Sequence, residues 1–279
     1  MGIRTKSTVS NTVLYVILVL MSIIWLTPFA CILLESFRTE STGRVGYIIP
    51  KQWGFDNYIN LWTKTSFPIW FRNTLITALA TAVLQTLMVL SVSYVLSRLR
   101  FKGRKLLMNT CLVLGMFPGF VTMIVLYKVL SGMGLTGANS VPGLILVYCA
   151  SSGMGYYVSK GFFDTIPKSL DEAARVDGAS RFQVFYKVIM PLSKPIVIYT
   201  VLTAFMAPWA DFMYISHNTE VGMNVAVGLQ YWISSKTLIA TNYTMFCAGG
   251  VVVALPVTIL FMLLQRYYVE GVTGGAVKG

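Results

Sequence analysis

Glu172, Ala173 and Ala174, followed by Gly178 and then by Val188, Met190 and Pro191, stand in a stretch whose residue types suit docking rather than bond breaking. The stretch is SLDEAARVDGASRFQVFYKVIMPLSKP, Ser169 to Pro195. Ser169 and Glu172 have the spacing of a capping box, in which the serine side chain and the glutamate satisfy two orphan amides reciprocally. Leu170, Ala173 and Ala174 then fall at i, i+3 and i+4, a narrow apolar face built mostly of methyl groups. Gly178 is placed to end that helix in the left-handed conformation. Ser180 and Gln183 form a second possible box, and Phe182, Phe185, Tyr186 and Ile189 repeat at i, i+3, i+4 and i+7. Pro191 and Pro195 close the unit. The pattern predicts helix, glycine bend, helix, with an alanine face that admits a close neighbour and an aromatic face that anchors the unit. Lying flat on lipid headgroups is the alternative for an amphipathic piece. Asp164, Asp171, Glu172 and Asp177 argue against it, because an anionic leaflet would repel them, and docking of a soluble partner is favoured.

Elsewhere the groups that could do chemistry are scarce. There is one histidine, His217, and the four cysteines Cys31, Cys111, Cys149 and Cys247 are scattered along apolar runs. No Cys-x-x-Cys or Cys/His spacing occurs, so neither a metal site nor a disulfide framework is expected, and buried free thiols are the plain reading. The dipeptide Gly-Lys occurs nowhere, so the chain has no P-loop with which to cradle ATP phosphates. A nucleophile elbow and a zinc motif are also missing. Asp211, in APWADFMY, is the one clear acid inside an apolar run, with Lys128 at the end of another. Intramembrane ionisable residues mark ion or proton paths, so an ion-coupled secondary transporter is an alternative reading, thinly supported by a single acid.

The elements that must position these residues are dictated by composition. Hydrophobic residues make up 56% of the 279 and charged residues 11%, against about a quarter charged in an ordinary soluble domain. The surrounding solvent is therefore lipid, where backbone groups must be satisfied internally and long apolar runs become helices. Six runs approach the ~20 residues needed to cross a bilayer: about 13–34, 73–97, 106–127, 141–159, 195–214 and 245–267. The first exceeds a signal-peptide core and is read as a retained span. Pro28, Pro118, Pro142, Pro208 and Pro256 fall within runs and can kink them, and Gly115 with Gly119 makes a G-x-x-x-G suited to close packing. The expected fold is an all-α polytopic membrane protein of six transmembrane helices, a single transmembrane domain over 1–279, with a cytoplasmic helix-turn-helix in a loop at 160–194. Fifteen of the 22 Lys and Arg residues fall on the side of the termini, the 98–105 loop and the 160–194 loop. That bias makes the side cytoplasmic, with both termini inside. The net charge of +12 is thus a topology signal; nucleic-acid binding would need basic and aromatic residues gathered on one folded face.

The segment EAARVDGASRFQVFYKVIMP resembles the EAA signature of ABC importer permeases: Glu-Ala-Ala, three residues, Gly, nine residues, then Ile-x-Leu-Pro. Val188 and Met190 depart conservatively from that pattern. GFFDTIPKSLDEAA resembles the carbohydrate-uptake branch, and the tail VEGVTGGAVKG, residues 269–279, is similar to that of the smaller permease subunit of maltose/maltodextrin-type transporters. The resemblance implies a coupling element, Glu172, Ala173, Ala174, Gly178, Val188, Met190 and Pro191, seated in a cleft of an ATP-binding subunit. It implies as partners a homologous larger permease, two ATP-binding subunits that carry ATP and Mg, and an extracellular or periplasmic solute-binding protein. The chain itself would be non-catalytic and hold no cofactor, in a bacterial or archaeal cytoplasmic membrane. Gly274, Gly275, Lys278 and Gly279 would suit a thin tail reaching the ATPases, unless the terminus is disordered. Trp209, Asp211 and Phe212 could line a sugar path, a structural hydrogen bond for Asp211 being an equal alternative. The loop from His217 to Lys236 would meet the binding protein, with Asn218, Asn224, Gln230 and Trp232 as possible sugar contacts. Maltodextrin-type oligosaccharides are the expected cargo.

Overall fold

The computed structural model describes residues 2–116, 119–211 and 223–276, with side chains for 11–116, 125–211 and 223–267. Among the described residues the chain is almost wholly helical; the one β-feature is an isolated antiparallel bridge between Arg38 and Trp53. In chain order the helices are α1 (Gly2–Ser36), α2 (Asp56–Thr63), α3 (Phe67–Arg98), α4 (Arg104–Gly115), α5 (Gly119–Gly132), α6 (Ser140–Ala150), α7 (Gly153–Thr165), α8 (Ser169–Val176), α9 (Arg181–Leu192), α10 (Lys194–Ala210), α11 (Val225–Trp232) and α12 (Lys236–Ala276).

Among the described residues three helices are long and apolar enough to cross a membrane: Asn11–Ser36 within α1, Phe67–Arg98, and Lys236–Tyr267 within α12. Two further apolar stretches are bent pairs, Val125–Gly132 with Gly137–Ala150 at 103°, and Arg181–Leu192 with Lys194–Ala210 at 85°. Within the runs of the sequence themselves the described helices divide differently. The third is shared between α4 and α5, whose junction at Phe117 and Pro118 lies outside the described residues. The fourth is broken at Ser151 and Ser152, between α6 and α7. Hydropathy counts charge and is blind to direction, and Ser152 Oγ donates to the Cys149 carbonyl at 2.7 Å, offering the backbone a local partner in place of helix continuation.

One compact unit comprises residues 1–65 and 229–252. Val13 to Leu26 of α1 expose their side chains, which lipid accommodates and water would not. After α1 the chain folds around Arg38, whose side chain is fully buried. Its Nε donates to Glu35 Oε2 at 2.6 Å, Nη1 to Glu40 Oε1 at 2.6 Å, and Nη2 to the carbonyls of Tyr47 and Ile48 at 2.9 and 3.1 Å. A buried cation is tolerated only when so enclosed by acceptors. Asn57 donates to the carbonyls of Ser36 and Arg38 and accepts from Thr244 of α12.

The second unit comprises 66–228 and 253–279, and α3 is its axis, packed by α6, α7 and α10. Small buried side chains on α3 (Thr74, Thr77, Ala78, Thr81 and Ala82) allow close approach along it. At its far end Leu90 joins Phe163, Ile166, Val184, Ile189 and Ile196 in a core that ties α3, α7, α9 and α10 together. Gly115 faces open space, so within this chain the G-x-x-x-G makes no close contact at that residue.

Candidate functional site

The helix pair of Ser169 to Pro195 is built where the end of α3 meets α7. α8 ends in a Schellman motif: the Gly178 N–H donates to the Arg175 carbonyl at 3.1 Å and the Ala179 N–H to the Ala174 carbonyl at 3.0 Å. Gly178 sits at φ +84°, where a Cβ would be strained, and Ala174 and Ala179 pack together on the core. The second capping box forms as its spacing predicts, Ser180 N–H donating to Gln183 Oε1 at 2.7 Å and Gln183 N–H to Ser180 Oγ at 3.3 Å. The first does not. Leu170 and Glu172 donate their amides to the carbonyls of Pro167 and Lys168, so the turn begins before Ser169, whose side chain makes no cap.

The aromatic face is also redrawn. Val184 to Ile189 is a π-turn, and an i→i+5 turn shifts the register that a 3.6-residue period assumes. Val184 and Ile189 are consequently the buried positions, with Phe185 against Tyr94 at 4.8 Å between ring centroids. Phe182 and Tyr186 stack on each other instead, 6.5 Å apart and 5° from parallel, both exposed. Glu172 and Ala173 are exposed beside Val176, which is 87% exposed. Of the motif's remaining positions, Val188 is half-buried, Met190 packs against the core and Pro191 is exposed.

Polar contacts hold this pair to α3, and the sequence reading missed them because Arg98 was weighed only as a topology charge. Arg98, its side chain 4% exposed, pairs with Asp171 at 2.9 Å from Nε to Oδ2, and its Nη2 donates to the Ile166 carbonyl at 3.0 Å. Ser97 Oγ donates to Asp164 Oδ1 at 2.6 Å, and Lys160 pairs with the same carboxylate. Burial pushes the Asp171 carboxyl above the usual carboxylate range, outweighing the pull of Arg98. The arrangement can transmit force: a push on the exposed face of α8 reaches α3 through an ion pair, and reaches α7 and α10 through the core.

Toward the other end of the unit, Trp209 is buried between Phe71 and Phe205, with ring centroids at 5.4 and 5.8 Å, and its Nε1 has no hydrogen-bond partner. Asp211 Oδ2 accepts from the Tyr148 hydroxyl at 2.8 Å, and its carbonyl accepts from Asn224 Nδ2 at 2.6 Å. Asn224 caps α11 by accepting from the Val227 N–H at 2.9 Å, while Thr74 Oγ1 accepts from the Val225 N–H at 3.0 Å. Gly228 is required beside Trp70, since a Cβ there would lie 2.0 Å from the indole ring. Asp211 and Asn224 are thus brought together. Trp232 is buried in the other unit and Gln230 is exposed. Phe212, His217 and Asn218 lie outside the described residues, as do Lys278 and Gly279; Gly274 and Gly275 fall in the last turns of α12. No group of three or more His, Cys, Asp or Glu fit to hold a metal ion occurs among the described residues.

Residues 88–274 match the family of binding-protein-dependent transport system inner membrane components. The chain is 32% identical over 281 residues to the maltodextrin transport system permease protein MalD of Streptococcus pneumoniae, covering 100% of this chain and 99% of MalD. It is 33% identical over 271 residues to the galactooligosaccharides transport system permease protein GanQ of Bacillus subtilis, covering 95% of this chain and 94% of GanQ. In fold it is similar to a chain of a bacterial ABC transporter involved in the import of the acidic polysaccharide alginate, with a TM-score of 0.74 at 22% identity, over 94% of this chain and 98% of that one. The match spans α8 and α9 and most of the apolar helices that carry them, and on that ground the chain belongs to the family of binding-protein-dependent transport system inner membrane components.

Proposed function

We propose that the chain is the transmembrane subunit of an ATP-driven importer of oligosaccharides, maltodextrins being the first candidates, and that it forms half of the translocation path. Full-length similarity at 32–33% identity to permeases named for maltodextrin and galactooligosaccharide transport carries this reading. Because relatives of nearly equal identity bear different sugar names, the cargo is set largely by other subunits. Family membership displaces the ion-coupled alternative, and the tyrosine hydrogen bond to Asp211 suits a structural acid.

Six membrane crossings, with α4 and α5 together forming one and α6 and α7 another, complete the layout, and both termini lie in the cytoplasm. The coupling element is Glu172, Ala173, Ala174, Gly178, Val188, Met190 and Pro191, with exposed Glu172 and Ala173 seated in the cleft of an ATP-binding subunit. Two such subunits bind ATP and Mg, this chain catalyses nothing itself, and a larger homologous permease supplies the other half of the path. A solute-binding protein delivers the sugar to the loop before α12, and the tail with Gly274, Gly275, Lys278 and Gly279 reaches toward the ATPases. Trp209, Asp211, Phe212, Asn224 and Trp232 stand beside the sugar path or that delivery loop.

Affinity purification of the tagged chain from its native membrane tests this reading. Recovery with an ATP-binding subunit and a second permease is expected, whereas a stable ATPase-free homodimer would sink it. Glu172→Ala should weaken ATPase association about tenfold or more, the size of one charge-assisted contact of ~1.5–3 kcal/mol, with membrane insertion unchanged. Titrating the companion binding protein with a panel of oligosaccharides names the cargo.

A further inference from the structure

Between the end of α3 and the helix pair lies a pocket of about 560 Å³, within the size range of small-molecule sites. Arg98, Arg100, Arg175 and Arg181 line it against one carboxylate, Asp171, with Tyr94 on its wall. Four guanidinium groups around one acid leave an excess of positive charge that the chain does not neutralise. Two atoms sharpen the point. Arg98 Nη1 is buried without a hydrogen-bond acceptor, on a side chain only 4% exposed, and Asp171 Oδ1 is buried without a donor. The 2.9 Å approach of Arg98 Nε to Asp171 is an ion pair without an aligned hydrogen bond. Buried polar groups are ordinarily satisfied, and each exception asks for a partner.

We propose that this pocket binds the phosphate ester of a small polyol. Phosphate oxygens accept from Arg98 Nη1 and from the forked guanidinium groups at the rim, a geometry arginine matches bidentately. A hydroxyl of the polyol donates to Asp171 Oδ1. A simple carboxylate would balance one arginine and leave the Asp171 oxygen unsatisfied; a polyol phosphate answers both. Arg98 is the last residue of an apolar membrane helix, so the phosphate can come from a glycerol-bearing anionic lipid headgroup or from a free phosphorylated polyol. The site does not depend on the transport reading.

The test uses the purified full-length chain. Glycerol 3-phosphate is titrated in zwitterionic detergent, with inorganic phosphate alongside it, and phosphatidylglycerol is titrated in phosphatidylcholine nanodiscs. Saturable binding of one equivalent is expected for at least one polyol phosphate, tighter than inorganic phosphate by threefold or more. Arg100→Gln with Arg181→Gln, both exposed at the rim, should weaken it at least tenfold, and Lys102→Gln, outside the pocket, should leave it unchanged. Should the double variant misfold, Arg100→Gln alone in the loop should still weaken binding severalfold. Binding by the soluble ester assigns a free ligand; binding only in lipid assigns the headgroup. Non-saturable binding, or equal binding by the double variant and the wild type, would overturn the proposal. So would binding by the isolated chain that vanishes in the assembled transporter, because the arginines would then belong to an acidic side chain of a partner.

Discussion

At the scale of single residues, the buried ion pairs of this protein join groups whose separate loss can be measured. Burial opposes ionisation of Glu40, yet the amides of Lys51 and Gln52 and the Arg38 guanidinium hold its pKa down to about 2, from an ordinary 4.5. A depressed carboxyl stabilises the fold fully above pH 4.5, and that contribution is lost as pH falls toward 2. Trp53, bridged to Arg38, reports the change: its fluorescence should hold steady down to pH 4.5 and shift only below it. Glu40→Gln should remove the transition from that window while weakening the loop at neutral pH. Arg98 offers the second case. Arg98→Ala would leave the Asp171 carboxyl buried beside Glu172 without its ion-pair partner, at a cost of ~3–5 kcal/mol. Replacing Asp171 as well should recover much of that loss, and melting temperatures of the two single variants and the double variant check the non-additivity. Neither network was legible beforehand. Arg38, Glu35 and Glu40 are close in sequence, but what makes them matter is burial, and no local pattern announces a fully buried arginine.

Elements were legible where a feature is local and illegible where it depends on the turn before it. Gly178 was readable because a left-handed C-cap needs only one residue without a Cβ; Ser180 and Gln183 were readable because their box closes within four residues. The Ser169 box has the same spacing and fails, since the chain enters the helix earlier at Pro167, giving Ser169 a helical backbone that cannot cap. The aromatic face was misread for a similar reason: a π-turn moves the inward set from Phe182, Phe185, Tyr186 and Ile189 to buried Val184 and Ile189 with Phe185 half-buried against them. These differences set the expected stabilities of the helix pair. Ser180→Ala should cost ~1 kcal/mol and Ser169→Ala close to nothing. Gly178→Ala should cost ~1–2 kcal/mol through its left-handed backbone. Amide hydrogen exchange over residues 169–192 distinguishes the three, with faster exchange confined to the α8–α9 junction for Gly178→Ala and Ser180→Ala alone.

For the whole molecule, class and setting were written in composition, whereas the course of the apolar runs was not: a helix break at Ser151 and Ser152 leaves hydropathy unchanged. Orientation rests on charge asymmetry, because lysine and arginine are retained on the cytoplasmic side during insertion. In the proposed layout fifteen of 22 basic residues, among them Arg98, Arg100, Lys102, Arg104 and Lys105, fall on the cytoplasmic side, and the loop that holds Lys51 and Lys64 is proposed to face outward. An impermeant maleimide can read this directly, because Cys149 and Cys247 are buried and only the half-buried Cys31 and Cys111 need replacing by alanine. In intact cells, single cysteines in place of Lys51 or Lys64 should react within minutes, and one in place of Lys102 should not. In inside-out vesicles the order should reverse. Labelling of position 102 from outside would invert the orientation and carry the exposed face of α8, Glu172 included, to the side of the membrane that has no ATP.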